Sequence, residues 1–177
     1  MQALLVIDAQ NEFSEHGQRA VSNHKAALRQ IQFRVQQARG ANLPIAWIRH
    51  YNKPDESPAF VPGTWGSELS PGLKPDAQKP GESLFEKNVF GAFTGTGLES
   101  WLRTAGVDTV LLVGFYTHMC LSTTAREALV RGFHVFIDPY ATGATDLNDS
   151  RLGTQPAAEV QRTALLQLRH MGVQLTD

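Results

Sequence analysis

Residues 108–130, DTVLLVGFYTHMCLSTTAREALV, decide how this chain folds. The run 109–113 is almost wholly apolar and rich in β-branched residues, which predicts a strand that is buried on both faces of a parallel sheet and ends at Gly114. From Leu121 the apolar residues recur at helical spacing, so the strand is expected to turn directly into a helix. Such a strand–turn–helix unit is typical of α/β folds.

Cys120 is the only cysteine in the chain, and it falls in the first turn of that predicted helix. Unpaired backbone N–H groups and the positive end of the helix dipole favour an anion there, so the position predicts a lowered thiol pKa and a nucleophilic thiolate. The alternative is that Cys120 is a small buried hydrophobic residue, as most free cysteines are.

The composition excludes some partners and bounds the size of the fold. A net charge of −1 over 177 residues gives no electrostatic argument for a nucleic-acid or membrane partner. The length suits one domain over residues 1–177. A lone cysteine cannot form an internal disulfide, and the N-terminal residues carry neither a basic leader nor a long apolar segment. We therefore expect a cytoplasmic protein.

Two charged residues lie at the ends of other strand-like runs. Asp8 comes directly after the apolar run 3–7, and Lys87 lies in the segment 83–88. A turn aspartate and a solvated lysine are the ordinary explanations for such residues. However, strands that alternate with helices predict a parallel sheet, and sites in such sheets lie beyond the carboxyl ends of the strands. We therefore expect Asp8, Lys87 and Cys120 to converge at one edge of the sheet.

The rest of the chain supplies the other layers of this α/β pattern. Apolar spacing predicts helices that end at Gly40, at Gly106 and just before Gly172, and further strands at 44–50, 134–137 and 173–175. Residues 51–82 form a long loop rich in proline and glycine. Trp65 is its largest apolar side chain, and it either walls a pocket or anchors the loop.

Three segments make the sequence resemble the isochorismatase-like cysteine hydrolase family. They are LLVIDAQNEF around Asp8, FEKNVFGAF around Lys87 and VGFYTHMCLSTTAREAL around Cys120, and PGTWGSEL resembles the family's loop before the lysine. The resemblance implies a three-layer αβα, Rossmann-like fold with a six-stranded parallel sheet. It also implies that these three residues form a catalytic triad.

The same resemblance implies further features around the cysteine. These are an oxyanion hole made by the backbone N–H groups of Met119 and Cys120, and a cis peptide bond between Phe115 and Tyr116. Members of the family commonly assemble, so a homo-oligomer is also implied.

The sequence departs from the family's pattern in two places. Many members have Asp or Asn two residues before the cysteine, where this chain has His118. Metal-binding nicotinamidases carry an Asp-x-His cluster after the second strand, but here that place reads RHYNKPD, starting at Arg49. We therefore expect no metal and no other cofactor. His50 is either a site residue or an ordinary histidine at a strand end.

These observations together predict hydrolysis of a small amide through a Cys120 thioester, with Asp8 as general base and Lys87 as electrostatic partner. The runner-up is vinyl-ether hydrolysis of an isochorismate-type substrate. A redox-active thiol protein and a non-catalytic binding module are further alternatives.

Aromatic residues in or beside the matching segments predict a narrow, largely apolar pocket for a small molecule. Those expected to line it are Phe13, Trp65, Phe90 and Tyr116, with Phe93 as a further candidate. The loop that carries Trp65 is expected to close over the substrate.

Overall fold

The computed structural model describes residues 1–76 and 78–177, which form eight strands and four α-helices. The strands are β1 (Gln2–Ile7), β2 (Ile45–His50), β3 (Glu82–Lys87), β4 (Thr109–Phe115), β5 (His134–Gly143), β6 (Leu147–Asp149), β7 (Gly153–Gln155) and β8 (Gln174–Leu175). The helices are α1 (His24–Gly40), α2 (Leu98–Thr104), α3 (Ser122–Val130) and α4 (Ala157–His170). Within these described ranges, no helix has the length and apolar composition needed to cross a bilayer.

Six of the strands form one parallel sheet in the order β3-β2-β1-β4-β5-β8, which confirms the predicted fold class. Side chains alternate between the two faces of each strand, so both faces of the central strands are apolar. One face packs against α1, which contributes Ala27, Ile31 and Val35. The other face packs against α2, α3 and α4. The result is the three-layer αβα arrangement.

The order of the strands reverses between β1 and β4. The chain runs outward from β1 to β3 on one side of the sheet, then crosses to β4 and runs outward on the other side. Ligands of open α/β sheets bind at such a switch point, beyond the carboxyl ends of the strands. Asp8 follows β1 and Cys120 follows β4, so the topology places both residues there.

Gly114 does not end β4, contrary to the sequence-based expectation, because the strand continues to Phe115. Its φ is +116°, and a Cβ atom on it would lie 1.8 Å from the carbonyl oxygen of Ile7. Only glycine permits this close approach of two backbones within a sheet. The close contact sets the spacing between the ends of β1 and β4.

Two other boundaries differ from the prediction. β5 extends past Ile137 to Gly143, with an irregular register against β4 that accommodates Pro139. The following segment contains the antiparallel hairpin β6–β7, where the sequence indicated only a polar loop. Neither change moves the carboxyl ends of β1, β3 and β4.

Candidate active site

Three side chains meet beyond the carboxyl ends of β1, β3 and β4. Nζ of Lys87 lies 2.7 Å from Oδ2 of Asp8, and both side chains are completely buried. Sγ of Cys120 lies within 4.8 Å of a carboxylate oxygen of Asp8. The structure therefore brings together the three residues that the sequence predicted to converge.

Lys87 is the charged partner of this cluster. Burial lowers the pKa of Lys87, but the negative charge of Asp8 and the neighbouring Cys120 outweigh burial, so its pKa is raised. The ammonium group also donates to the carbonyl of Val89 at 3.1 Å. Lys87 is thus a fixed cation that neutralises the carboxylate of Asp8.

Asp8 has one carboxylate oxygen engaged and one free. Oδ2 accepts from Lys87, whereas Oδ1 is buried and has no hydrogen-bond partner among the described residues. The residue follows β1 directly with a φ of +47°, in the left-handed region that side-chain-bearing residues seldom occupy. Such strained conformations cluster at functional sites. A free lone pair on a buried carboxylate is what a general base needs.

His50, at the end of β2, belongs to the site. Its Nδ1 lies 3.3 Å from the ammonium group of Lys87 and accepts from it, so the ring proton is on Nε2, which donates to Asn52 at 2.9 Å. Burial and then the charge of Lys87 lower the pKa of His50, so the imidazole is neutral. The side-chain amide of Gln10 fixes the backbone of His50, accepting from its N–H and donating to its carbonyl.

Cys120 lies in a π-helical turn, Thr117–Leu121, that runs directly into α3. Turns of this kind occur frequently at functional sites. The hydroxyl groups of Thr117 and Thr142 lie 2.8 Å apart and hold the turn against the end of β5. The sequence predicted the helical start but not its π geometry.

The thiol of Cys120 is not ionised by its position in a helix, contrary to the sequence-based expectation. Burial raises the pKa of Cys120, the charge of Asp8 raises it further, and Lys87 only partly opposes them. The resting group is a buried neutral thiol, and a base must remove its proton during the reaction.

The peptide bond between Phe115 and Tyr116 is cis, as the resemblance implied. The backbone N–H of Met119 donates to the carbonyl of Tyr116 at 3.1 Å. This donor is therefore engaged, and an oxyanion role for Met119 and Cys120 stays a prediction.

A cavity of about 240 Å³ opens onto the thiol of Cys120. Its volume lies below the roughly 300–1,000 Å³ that is usual for drug-sized ligands, which fits a small substrate. Aromatic and apolar side chains form most of the wall, namely Phe13, Phe60, Phe90, Tyr116 and Met119. Three of the four aromatic residues that the sequence predicted for the pocket, Phe13, Phe90 and Tyr116, therefore line this cavity.

Trp65 does not line this cavity, so its predicted position as a pocket wall is wrong. Its side chain is 51% exposed and borders a separate groove beside α1. The reason lies in the next residue: a Cβ atom on Gly66 would lie 2.1 Å from Oε1 of Glu12. Since Gly66 packs inward against Glu12, the tryptophan is turned outward. Phe93 also lies elsewhere, in the core with its ring 5.7 Å from that of Phe133.

Sequence reasoning missed three residues that line the cavity. Arg19, Asn52 and Phe60 lie in loops without periodicity, where no pattern predicted the direction of a side chain. Asn52 alone offered a signal, since it follows the end of β2 by two residues.

A family model described as the isochorismatase domain matches residues 2–177. The chain belongs to the isochorismatase family. It is 36% identical over 144 residues to a secreted isochorismatase effector of Verticillium dahliae, over 81% of this chain and 73% of that protein. It is 33% identical over 162 residues to nicotinamidase 3 of Arabidopsis thaliana, over 85% of this chain and 78% of the relative. Its structure matches a cysteine hydrolase from Pseudomonas syringae pv. phaseolicola with a TM-score of 0.90 and 26% identity, over 99% of this chain and 87% of that one.

Membership of the isochorismatase family makes the protein a hydrolase. The described residues contain one cluster of possible metal ligands. Ligand atoms of Asp8, His50 and Cys120 lie within 4.8 Å of one another. However, the ammonium group of Lys87 already contacts both Asp8 and His50. A divalent cation among these ligands would face that fixed positive charge at close range. The cluster therefore does not suit a metal.

The buried ion pair gives a test of stability. Replacing Lys87 with Met leaves the carboxylate of Asp8 buried and uncompensated, which we expect to lower the free energy of unfolding by about 3–5 kcal/mol. Adding Asp8→Asn should recover part of that loss, because the buried charge is then gone. Urea denaturation of the two single variants and the double variant measures this coupling.

The matched control for the ion pair is Arg49→Met, which breaks the partly exposed pair with Glu86 and should cost at most about 1 kcal/mol. If the losses of the two single variants at Asp8 and Lys87 simply add in the double variant, the buried pair is not coupled as described.

The shape of the cavity gives a test of selectivity. Phe90 is 54% exposed and lines the cavity, so Phe90→Ala should widen it and raise the kcat/KM ratio of bulky to small amides. Trp65→Ala is the matched control, since Trp65 is equally exposed but lies at another groove. Equal changes in the two variants would show that the wall has been assigned to the wrong residue.

Proposed function

We propose that the protein is a cysteine amidohydrolase that cleaves the C–N bond of a small amide through a thioester on Cys120. The proposal rests on the different environments of the two carboxylate oxygens of Asp8. Oδ2 is held by Lys87 and Oδ1 is buried and unpaired among the described residues, while Sγ of Cys120 lies within 4.8 Å of a carboxylate oxygen of Asp8. A base, its counter-ion and a nucleophile therefore stand in contact.

In the first half of the reaction, Sγ of Cys120 attacks the carbonyl carbon of the amide, and Oδ1 of Asp8 takes the thiol proton. Asp8 then gives this proton to the amide nitrogen, so the C–N bond breaks and the amine leaves. The acyl group remains on sulfur as a thioester.

In the second half, Asp8 takes a proton from water, and the resulting hydroxide attacks the thioester carbon. The S–C bond breaks, the thiolate regains the proton, and a carboxylic acid leaves. Lys87 stays an ammonium throughout, so Asp8 can change its protonation state while its position is fixed.

The negative oxygen that forms in each half needs hydrogen-bond donors. We assign this role to the backbone N–H groups of Cys120 and Met119, where one donor is worth about 3 kcal/mol. Since the Met119 N–H donates to Tyr116 in the structure, its part in the proposal requires that bond to be shared with the oxyanion.

The presence of the thiol favours amide cleavage over vinyl-ether hydrolysis of isochorismate as the reaction. Hydrolysis of a vinyl ether proceeds by protonation and addition of water, and it does not need a nucleophilic sulfur. Here the thiol forms a wall of the cavity beside a free base. The relative from Arabidopsis thaliana is named a nicotinamidase, and nicotinamide is a small amide.

Several expectations about the setting of this activity stay predictions. We propose that residues 1–177 act as one hydrolase domain on a small-molecule substrate without nucleic acid, as a homo-oligomer in the cytoplasm. The relative from Verticillium dahliae is secreted, so the location of this protein needs its own measurement.

Cys120→Ala should abolish amide hydrolysis, with a loss in kcat on the order of 10⁶, as is found when a hydrolase loses its nucleophile. The melting temperature should change little, because alanine fills most of the space of the thiol. Cys120→Ser should be nearly inactive as well, since a carboxylate is a poor base for a hydroxyl group. Ammonia release from a panel of small amides measures all three proteins.

Thr123→Ala, in the next turn and away from the cavity, is the matched control and should keep full activity. A Cys120→Ala variant that still released ammonia would refute the covalent mechanism. One that still formed pyruvate from isochorismate would favour the vinyl-ether reaction.

We also predict that hydrolysis does not depend on a metal, because the ammonium group of Lys87 already contacts Asp8 and His50 of the candidate ligand cluster. Dialysis against EDTA should leave kcat/KM within about twofold of its initial value. Activity that disappears with EDTA and returns with zinc or iron would contradict this prediction.

A further inference from the structure

Arg19 brings a positive charge to the cavity that the proposed reaction does not use. It lies in the loop between β1 and α1 and lines the same cavity as Cys120. Its guanidinium group forms no hydrogen bond or ion pair with any of the residues 1–76 and 78–177. Like most exposed arginines it needs no partner in water, but here it faces a substrate-sized space.

The backbone of Arg19 is held in place by two parts of the site. Its N–H donates to the carbonyl of Glu12 at 3.0 Å, and its own carbonyl accepts from the hydroxyl of Tyr116 at 2.7 Å. Burial raises the pKa of Tyr116 to about 12, and the positive charge of Arg19 partly opposes this increase. The backbone of Arg19 is therefore fixed beside Tyr116, and both residues line the cavity.

The other polar groups of the cavity are already paired. His50 accepts from Lys87 and donates to Asn52, and the amide of Asn52 donates to the carbonyl of Ala59 at 3.0 Å. The hydroxyl of Tyr116 donates to the backbone carbonyl of Arg19. Among the described residues that line the cavity, three side-chain groups have no partner and can bind a ligand. They are the thiol of Cys120, Oδ1 of Asp8 and the guanidinium group of Arg19.

Counted over Lys87 and the residues that line the cavity, the charges sum to an excess of one cation. Asp8 and Lys87 neutralise each other, the thiol of Cys120 is neutral, and His50 is neutral. Glu12 does not line the cavity: the backbone N–H groups of Gln18 and Phe60 donate to its two carboxylate oxygens, although its charge also acts on Tyr116. Arg19 is thus a cation that lines the cavity and has no ion-pair partner among residues 1–76 and 78–177.

We propose that Arg19 determines substrate specificity by binding an anionic group, so that the substrate is a small amide that carries a carboxylate at its other end. The inference rests on the proposed function for the amide end. Arginine presents paired N–H donors that match the two oxygens of a carboxylate. The cavity of about 240 Å³ holds the volume of roughly eight water molecules, so only a short chain fits between the two ends.

Succinamate and its neutral counterpart succinamide form a suitable pair of probes, because they differ only in carboxylate against amide at one end. The wild-type kcat/KM for succinamate should exceed that for succinamide by roughly 10- to 100-fold, the range that one charge-assisted pair supports. Arg19→Gln should reduce this ratio to about one, chiefly through the anionic substrate. Malonamate and malonamide test a shorter spacing in the same way.

Arg151→Gln is the matched control. Arg151 is exposed in the turn between β6 and β7, away from the cavity, and its replacement should leave the ratio unchanged. A loss of preference in both variants would mean that net charge, and not Arg19, sets the selectivity.

A binding measurement separates this inference from the proposed function. Isothermal titration of the Cys120→Ala protein should show tighter binding of succinamate than of succinamide by a similar factor, and the Cys120→Ala/Arg19→Gln protein should lose the difference. If this holds while the wild-type protein hydrolyses neither amide, anion recognition stands and the amidase proposal fails.

The inference is overturned if succinamate and succinamide bind equally well to the Cys120→Ala protein, or if the anionic amide does not bind. It is also overturned if Arg19→Gln leaves the preference intact. In each of these cases, ammonia release by the wild-type protein still decides the proposed function on its own.

Discussion

The buried ion pair between Asp8 and Lys87 is the interaction on which the rest of the site depends. Neither side chain has access to water, so each charge is tolerable only because the other is 2.7 Å away. The sheet supplies this proximity, since both residues stand at the carboxyl ends of parallel strands. The pair then sets the protonation of its neighbours. Burial and then the charge of Lys87 lower the pKa of His50, and burial and then the charge of Asp8 raise the pKa of Cys120.

In this arrangement, the residues that position the thiol of Cys120 are not the ones that deprotonate it. A thiolate stabilised in advance would be a weaker nucleophile, because nucleophilicity falls with the pKa of the thiol. Here burial raises the pKa of the thiol, which lies within 4.8 Å of the carboxylate of Asp8, so Asp8 is the base that removes its proton in the proposed reaction. The π-helical turn and the aromatic wall place the thiol, while the ion pair supplies the base. Arg19 lines the same cavity, where we propose that its positive charge orients the substrate.

The sequence predicted the fold class and the convergence of the three central residues, because each observation depended only on strand ends. Asp8 follows an apolar run, Lys87 lies in a short strand-like segment, and Cys120 lies in the first turn of a helical pattern. Features set by contacts between distant loops could not be predicted. Trp65 turns outward because Gly66 packs on Glu12, and no local pattern of sequence encodes that contact. The raised pKa of Cys120 likewise depends on how deeply the folded chain buries the thiol, and the position of Arg19 depends on backbone contacts with Glu12 and Tyr116.

The covalent role of Cys120 can be tested by trapping the acyl group on its sulfur. A small amide is mixed with an excess of the protein, the reaction is stopped with acid within its first turnover, and the protein is digested and analysed by mass spectrometry. The account predicts that the peptide containing Cys120 gains the mass of the acyl group, and that this adduct forms and decays at rates consistent with turnover. Product formation within the first turnover, without any acyl adduct on that peptide at any time point, would contradict it.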